Sequence, residues 1–230
     1  IFTINDNQGR SIASDTVDVI VAPVNNDPEA NDDVASGDED TDISGDISLN
    51  DSDLDATNGD YTPAEHHSLH YTVDADGIPS NGLVSMADDG SYTYSPNLNW
   101  NGTDSFTYTV SDEAGGSDGA TVAITVHAIN DPVILIDSID DYSVEEDALP
   151  TTVADLDDIF DDIDLTNGDP SALQTLSYSV FSNSNSDLAS ASIDGAGVLT
   201  VSYTSNDNGF ADITVRANDS NGSTLDESFT

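Results

Sequence analysis

Apolar and polar residues alternate along most of this chain with a period of two. Ser105-Phe106-Thr107-Tyr108-Thr109-Val110, Thr121-Val122-Ala123-Ile124-Thr125-Val126 and Val17-Asp18-Val19-Ile20-Val21 are the clearest runs, and their β-branched and aromatic content predicts half-buried strands. Tyr92 and Tyr94 fall on one face of another such run. Gly, Asn, Asp and Ser fill the gaps between runs, including six Asn-Gly steps such as Asn81-Gly82 and Asn101-Gly102. No segment carries a helical period. Short strands with turn signals every ~8–12 residues predict an all-β protein built of seven-stranded antiparallel sandwiches with Greek-key connections.

The pattern repeats. Asn26-Asp27-Pro28 returns as Asn130-Asp131-Pro132, a step of 104, and Asp38-Glu39-Asp40 returns as Glu145-Glu146-Asp147, a step of 107. Asp6, Asp112 and Asp219 keep steps of 106 and 107. Such self-similarity marks a tandem array, divided here into the last hairpin of a preceding repeat (1–25), a complete repeat (26–130) and a second repeat (131–230) that stops inside its last strand. The linkers Val24–Pro28 and Ile129–Pro132 are short and acidic, so the sandwiches are expected to join end to end. Residue 1 falls in mid-pattern, with no signal-like segment, as in a fragment of a longer chain.

Charge then decides between a disordered acidic chain and a folded one that needs a counter-ion. Of 230 residues 46 are acidic and 2 basic, Arg10 and Arg216, for a formal net charge of −44. This excludes nucleic acid and an anionic membrane surface as partners, since both are held by Lys and Arg. The 36% of hydrophobic residues, set in strand periodicity, argue for folding. Carboxylates ~6 Å apart repel by roughly 3 kcal/mol at an effective dielectric of 20, so a divalent cation is expected among them. With no cysteine, neither disulfides nor thiolate metal sites are available. No stretch approaches the ~20 apolar residues of a membrane span.

Strand parity sorts the acidic residues. Consecutive antiparallel strands reverse direction, so successive loops alternate between the two ends of a sandwich. With strands lettered A to G, one end of the complete repeat carries Asn25, Asp27, the BC-loop residues Asp53 and Asp55, and Asp112 of the FG loop. The other end carries Glu39, Asp104 and the next linker, Asn130 and Asp131, which face Asp162, Asp164 and Asp219 of the following repeat. Glu146 takes the place of Glu39 one repeat later. Calcium is bound by six to eight oxygens from carboxylates, Asn side chains, carbonyls and water, which is what these ends offer. The junction near residue 130 has both partners. The one near residue 25 lacks the AB and EF loops of its neighbour, so weaker occupancy is expected there.

The concatenated motifs of residues 26–132 resemble tandem bacterial cadherin-like repeats of large surface adhesins and RTX-type extracellular proteins. The resemblance runs through Gly37-Asp38-Glu39-Asp40-Thr41, Leu49-Asn50-Asp51-Ser52-Asp53, Asp89-Gly90-Ser91-Tyr92-Thr93-Tyr94-Ser95-Pro96 and Trp100-Asn101-Gly102-Thr103-Asp104-Ser105-Phe106, closing at Asn130-Asp131-Pro132. It implies an immunoglobulin-like sandwich, calcium between domains, Trp100 as a plug of the core, and an extender or adhesive role on the bacterial surface or outside the cell. The second repeat departs from it, with Asn206-Asp207-Asn208-Gly209-Phe210 where the tryptophan motif belongs and an enlarged Asp-rich BC region.

Competing readings are weaker. Asp51, Asp53 and Asp55 mimic the start of an EF-hand, but Ala56 and Thr62 stand where its Gly and Glu belong. His66, His67 and His70 form a cluster, yet adjacent strand residues point to opposite faces, and a solvent-facing insertion is the simpler account. No nucleophile elbow, phosphate loop or zinc-protease helix is present, and the carboxylates lie at domain ends rather than in a cleft, so no enzyme is expected. The alternative function is a module binding polysaccharide, a host surface or a second copy. The apolar Ile12, Val17, Val19 and Val21 of the first hairpin favour the last, because an unpaired strand edge invites pairing.

Overall fold

Phe106, Tyr108 and Val110 on one strand and Val122, Ile124 and Val126 on the next are all buried, so the alternation read from the sequence is the alternation of the fold. The computed structural model describes residues 24–55, 68–165 and 175–230; the hairpin expected at 1–25, apart from Val24 and Asn25, and His66 and His67 lie outside them. In the first repeat the strands are β1 (Asp33–Asp38), β2 (Ile43–Asp46), β3 (His70–Val73), β4 (Gly82–Met86), β5 (Ser91–Pro96), β6 (Gly102–Ser111) and β7 (Ser117–His127). They form two sheets, ordered β1-β7-β6-β3 and β2-β5-β4. Tyr92 and Tyr94 of β5 meet the β6–β7 face in the core, and Tyr92 packs edge-on against Phe106 at 5.2 Å. Each such side chain contributes about 1.5–3 kcal/mol on burial. Trp100 is half-buried against the same cluster, as the plug expected of it.

One pairing is not antiparallel. β1 runs parallel to β7 from Asp33 opposite Val122 to Asp38 opposite His127. The reason is parity: with seven alternating strands the first and last point the same way, and when the first crosses to the sheet of the last the pair must be parallel.

In the second repeat β8 (Ile134–Leu135), β9 (Thr151–Asp155), β10 (Phe160–Asp161), β11 (Ser177–Asn183), β12 (Ala189–Ile193), β13 (Val198–Tyr203), β14 (Ile213–Asn218) and β15 (Thr224–Phe229) make the sheets β11-β14-β15 and β12-β13-β9 and the pair β10-β8. Its core centres on Leu156, Leu199, Val201, Ile213, Val215 and Phe229. In the described part of the enlarged BC region two 3-10 turns, Leu156–Asp158 and Ile163–Leu165, flank β10.

The step of 107 recurs in backbone geometry. Asp40 and Asp147 share a left-handed conformation (φ 59° and 65°), as do Asn99 and Asn206 (53° and 59°). In each repeat the aspartate carboxylate accepts the N–H of the asparagine, at 2.7 Å and 3.0 Å. This clamp fixes the turn that carries Glu39. At that end of the second repeat exposed Asp207 replaces Trp100, beside a cleft of about 360 Å³ lined by Tyr142, Leu188, Val201, Tyr203, Phe210 and Phe229.

Candidate metal centre at the domain junction

The site is assembled from four pieces of chain. The clamped turn after β1 aims Glu39 at the linker, where Oε1 accepts the N–H of Ile129 at 2.8 Å. Glu39 is fully buried. The linker then contributes Asn130, whose Nδ2 donates to Asp219 Oδ2 at 3.0 Å, and Asp131, whose N–H donates to Asp164 Oδ2 at 2.8 Å. Asp162 and Asp164 stand on an Asx turn in which the Asp164 N–H donates to Asp162 Oδ1 at 3.0 Å. Such turns let a short acidic side chain organise its own loop. Asp219 caps the turn before β15, Oδ1 accepting the N–H groups of Asn221, Gly222 and Ser223.

One oxygen each of Glu39, Asp131 and Asp164 lie within 4.8 Å of one another. Oδ2 of Asp131 and Oδ2 of Asp162 are buried with no hydrogen-bond partner. Burying a carboxylate oxygen without a donor is costly, and a hard cation is the group that satisfies several at once. The donor set here is all oxygen, which fits calcium and does not fit a soft thiolate or imidazole metal.

The electrostatics divide by donor supply. Burial pushes the Asp131 carboxyl up, and the carboxylates of Asp164, Asp40, Glu39 and Asp162 add to it. Asp162 is raised by burial and then by Asp164, Asp219 and Asp161, against the Asp164 N–H. Burial also raises Asp219, but the Asn130 amide and the N–H groups of its turn outweigh it and hold it below the usual range.

The linker and loop contacts of this site recur at the other end of the first repeat. Asn25 Nδ2 donates to Asp112 Oδ2 at 2.9 Å, the Asn26 N–H to Asp55 Oδ2 at 2.6 Å, and the Asp55 N–H to Asp53 Oδ1 at 2.8 Å. Oδ1 of Asp112 accepts from the N–H groups of Ala114 and Gly116. Asp112 is lowered in the same way as Asp219: burial raises it, and the Asn25 amide and turn N–H groups overcome that. Oδ2 of Asp53 is the third buried oxygen without a partner.

These bonds set the linker register. Asn25 matches Asn130 and Asn26 matches Asp131, a step of 105, whereas aligning the Asn-Asp-Pro triplets matches Asp27 with Asp131. Asn26 therefore supplies the backbone contact that Asp131 supplies one repeat later. Asp27 remains beside the cage: a Cβ on Gly116 would lie 2.6 Å from Asp112 Oδ2 and 2.8 Å from Asp27 Oδ1.

Among the described residues the buried polar or charged side chains are Glu39, Asp53, Asp112, Asp162, Asp164 and Asp219, each of them a residue the acidic loops point to. Asp104 is set apart. Its carboxylate accepts the N–H groups of Ser80, Asn81 and Ser105 and the hydroxyl of Tyr94, so it is occupied inside its own sandwich. Those hydrogen bonds outweigh burial and lower it. From the same segment the residue facing the junction is Asn101, whose Nδ2 lies 3.4 Å from Glu39 Oε2. Its signal in the sequence was the recurrence of Asn101-Gly102 as Asn208-Gly209. Glu146 is exposed, and His70 pairs with Asp88 at 2.7 Å rather than with any residue of the cages.

A family model of the bacterial cadherin-like domain matches residues 25–128. No curated protein matches the chain in sequence. Among solved structures, human CDH23 EC21-23 is similar at a TM-score of 0.54 and 16% identity, over 89% of this chain and 68% of that one. Mouse Cadherin-23 EC22-24 is similar at 0.53 and 16%, over 89% and 65%. The human Desmocollin-1 ectodomain, at 0.44 and 16% over 88% of this chain, is longer, and the chain spans 41% of it. At these identities the likeness is one of fold. Residues 25–128 thus match the bacterial cadherin-like domain family, and the chain has the all-β fold of cadherin ectodomains.

Proposed function

We propose that the chain is a calcium-binding extender segment of a secreted or surface-anchored bacterial adhesin, in which cations at the linkers hold successive sandwiches in line. The observation that supports this most is the convergence of Glu39, Asp131 and Asp164 from two repeats and their linker, with unpartnered buried oxygens on Asp131 and Asp162. Calcium would supply positive charge and six to eight coordination positions for oxygen. Glu39 ties the first sandwich to the linker through Ile129, while Asp164 and Asp219 tie the second to it through Asp131 and Asn130. A ligand that binds only this ordered arrangement stabilises it by about 2.7 kcal/mol at a hundredfold excess over Kd. Without it, carboxylate repulsion loosens the linker.

The test is calorimetric calcium titration joined to small-angle scattering with and without chelator, on the wild type and on a Glu39→Gln, Asp164→Asn variant. Binding heat that the variant reduces, and a maximum dimension that changes on chelation only in the wild type, are expected. An unchanged scattering profile on chelation of the wild type rules out the stiffening role.

A further inference from the structure

Asn101 is followed by Gly102, the one residue type whose lack of a Cβ leaves its backbone nitrogen open to a neighbouring side-chain amide. In the first repeat this step is held in place. Asn101 Nδ2 rests on Glu39 Oε2 at 3.4 Å, the Trp100 indole lies over Gly102 with Cζ2 at 3.2 Å from where a Cβ would stand, and Gly102 opens β6 opposite Val126. One repeat later the same step is Asn208-Gly209. There Asp207 replaces the tryptophan, and all three residues are exposed. At this position of the repeat the chain therefore carries one guarded and one unguarded copy of a reactive dipeptide.

We propose that Asn101-Gly102 is a deamidation site guarded by the domain junction, so that opening of the junction converts Asn101 into a carboxylate facing Glu39. The Gly102 nitrogen attacks Asn101 Cγ. The N–Cγ bond forms, the bond from Cγ to the side-chain nitrogen breaks, and that nitrogen leaves as ammonia with the proton from Gly102. Water then opens either carbon–nitrogen bond of the succinimide, leaving aspartate or isoaspartate. No electrons change hands, and the product carries one more negative charge. It stands against a carboxylate that already lies within 4.8 Å of two others. Isoaspartate also adds a methylene to the backbone at the entry to β6. A junction that reacts while open is thereby altered irreversibly.

This inference rests on the calcium reading above, and the two are separable. The whole chain is incubated at neutral pH in excess calcium or in chelator, and the one-unit mass gain is followed on the peptides holding Asn101 and Asn208. Asn208 is the internal clock and is expected to react equally in both. Asn101 is expected to lag behind it in calcium and to speed up by about tenfold or more on chelation, the factor that ~1.4 kcal/mol of lost local protection supplies. An Asn101 rate that ignores chelation, or that matches Asn208 in calcium, overturns the proposal. If scattering of the same samples changes on chelation while the Asn101 rate does not, this inference alone fails; if neither responds, both fail.

Discussion

Asp131 and Asp219 are the same residue type at one junction, yet their acidities move in opposite directions: burial and then the neighbouring carboxylates raise Asp131, one of whose oxygens has no donor, whereas the several donors to Asp219 outweigh its burial. The consequence for stability has opposite signs. A carboxyl raised in the folded state, Asp131 or Asp162, keeps its proton longer when folded. Its contribution is present at low pH and is lost as pH climbs through the raised value. A carboxyl lowered in the folded state, Asp112 or Asp219, contributes above the usual carboxylate range and loses that contribution as pH falls through its folded value. At neutral pH the ion-free protein thus carries a burden at Asp131 that a cation would turn into an asset. Asp131→Asn is expected to raise the melting temperature in chelator, by the equivalent of about 1 kcal/mol, and to lower it relative to wild type in saturating calcium. Thermal melts in both buffers read the reversal.

At the scale of elements, Asp104 shows what sequence reading reaches and where it stops. Its position near the start of the sixth strand, at the acidic end of the repeat, made it a natural ligand candidate. The structure spends it instead on the Ser80-Asn81 turn and the buried Tyr94 hydroxyl. Parity places a residue at one end of a sandwich but does not say whether its side chain turns out to the linker or in to a neighbouring turn. The difference is measurable. Asp104→Asn is expected to destabilise the first repeat by about 1–3 kcal/mol, the cost of disturbing a partly buried hydrogen-bond cluster, while leaving the calcium isotherm unchanged. A calcium isotherm that weakens in a folded Asp104→Asn protein would return the residue to the cage. The Asp-x-Asp loops and Asp112 and Asp219 were legible because tandem recurrence and burial coincide on them. The contact of Asn101 with Glu39 and the one-residue offset that seats Asn26 opposite Asp55 were not, since they depend on hydrogen bonds between segments far apart in sequence.

At the scale of the whole chain, a net charge of −44 works against compaction, and most of it is screened rather than paired: Arg216, bidentate to Asp226, is the one described Lys or Arg. Screening lengths fall from about 30 Å at 0.01 M to about 3 Å at 1 M salt. Raising sodium chloride in chelator is therefore expected to raise the melting temperature, and the gain should shrink in saturating calcium, where the densest carboxylate clusters are already neutralised. Equal salt dependence in both buffers would mean that the repulsion lies elsewhere on the surface. The parallel pairing of β1 with β7 gives the same chain a mechanical character. A pull transmitted through the linkers draws the start of β1 and the end of β7 apart along the strand axis. The rungs from Asp33–Val122 to Asp38–His127 are then loaded together in shear instead of being peeled one by one, so the pair that parity makes parallel is also the one that would bear a tension on the segment.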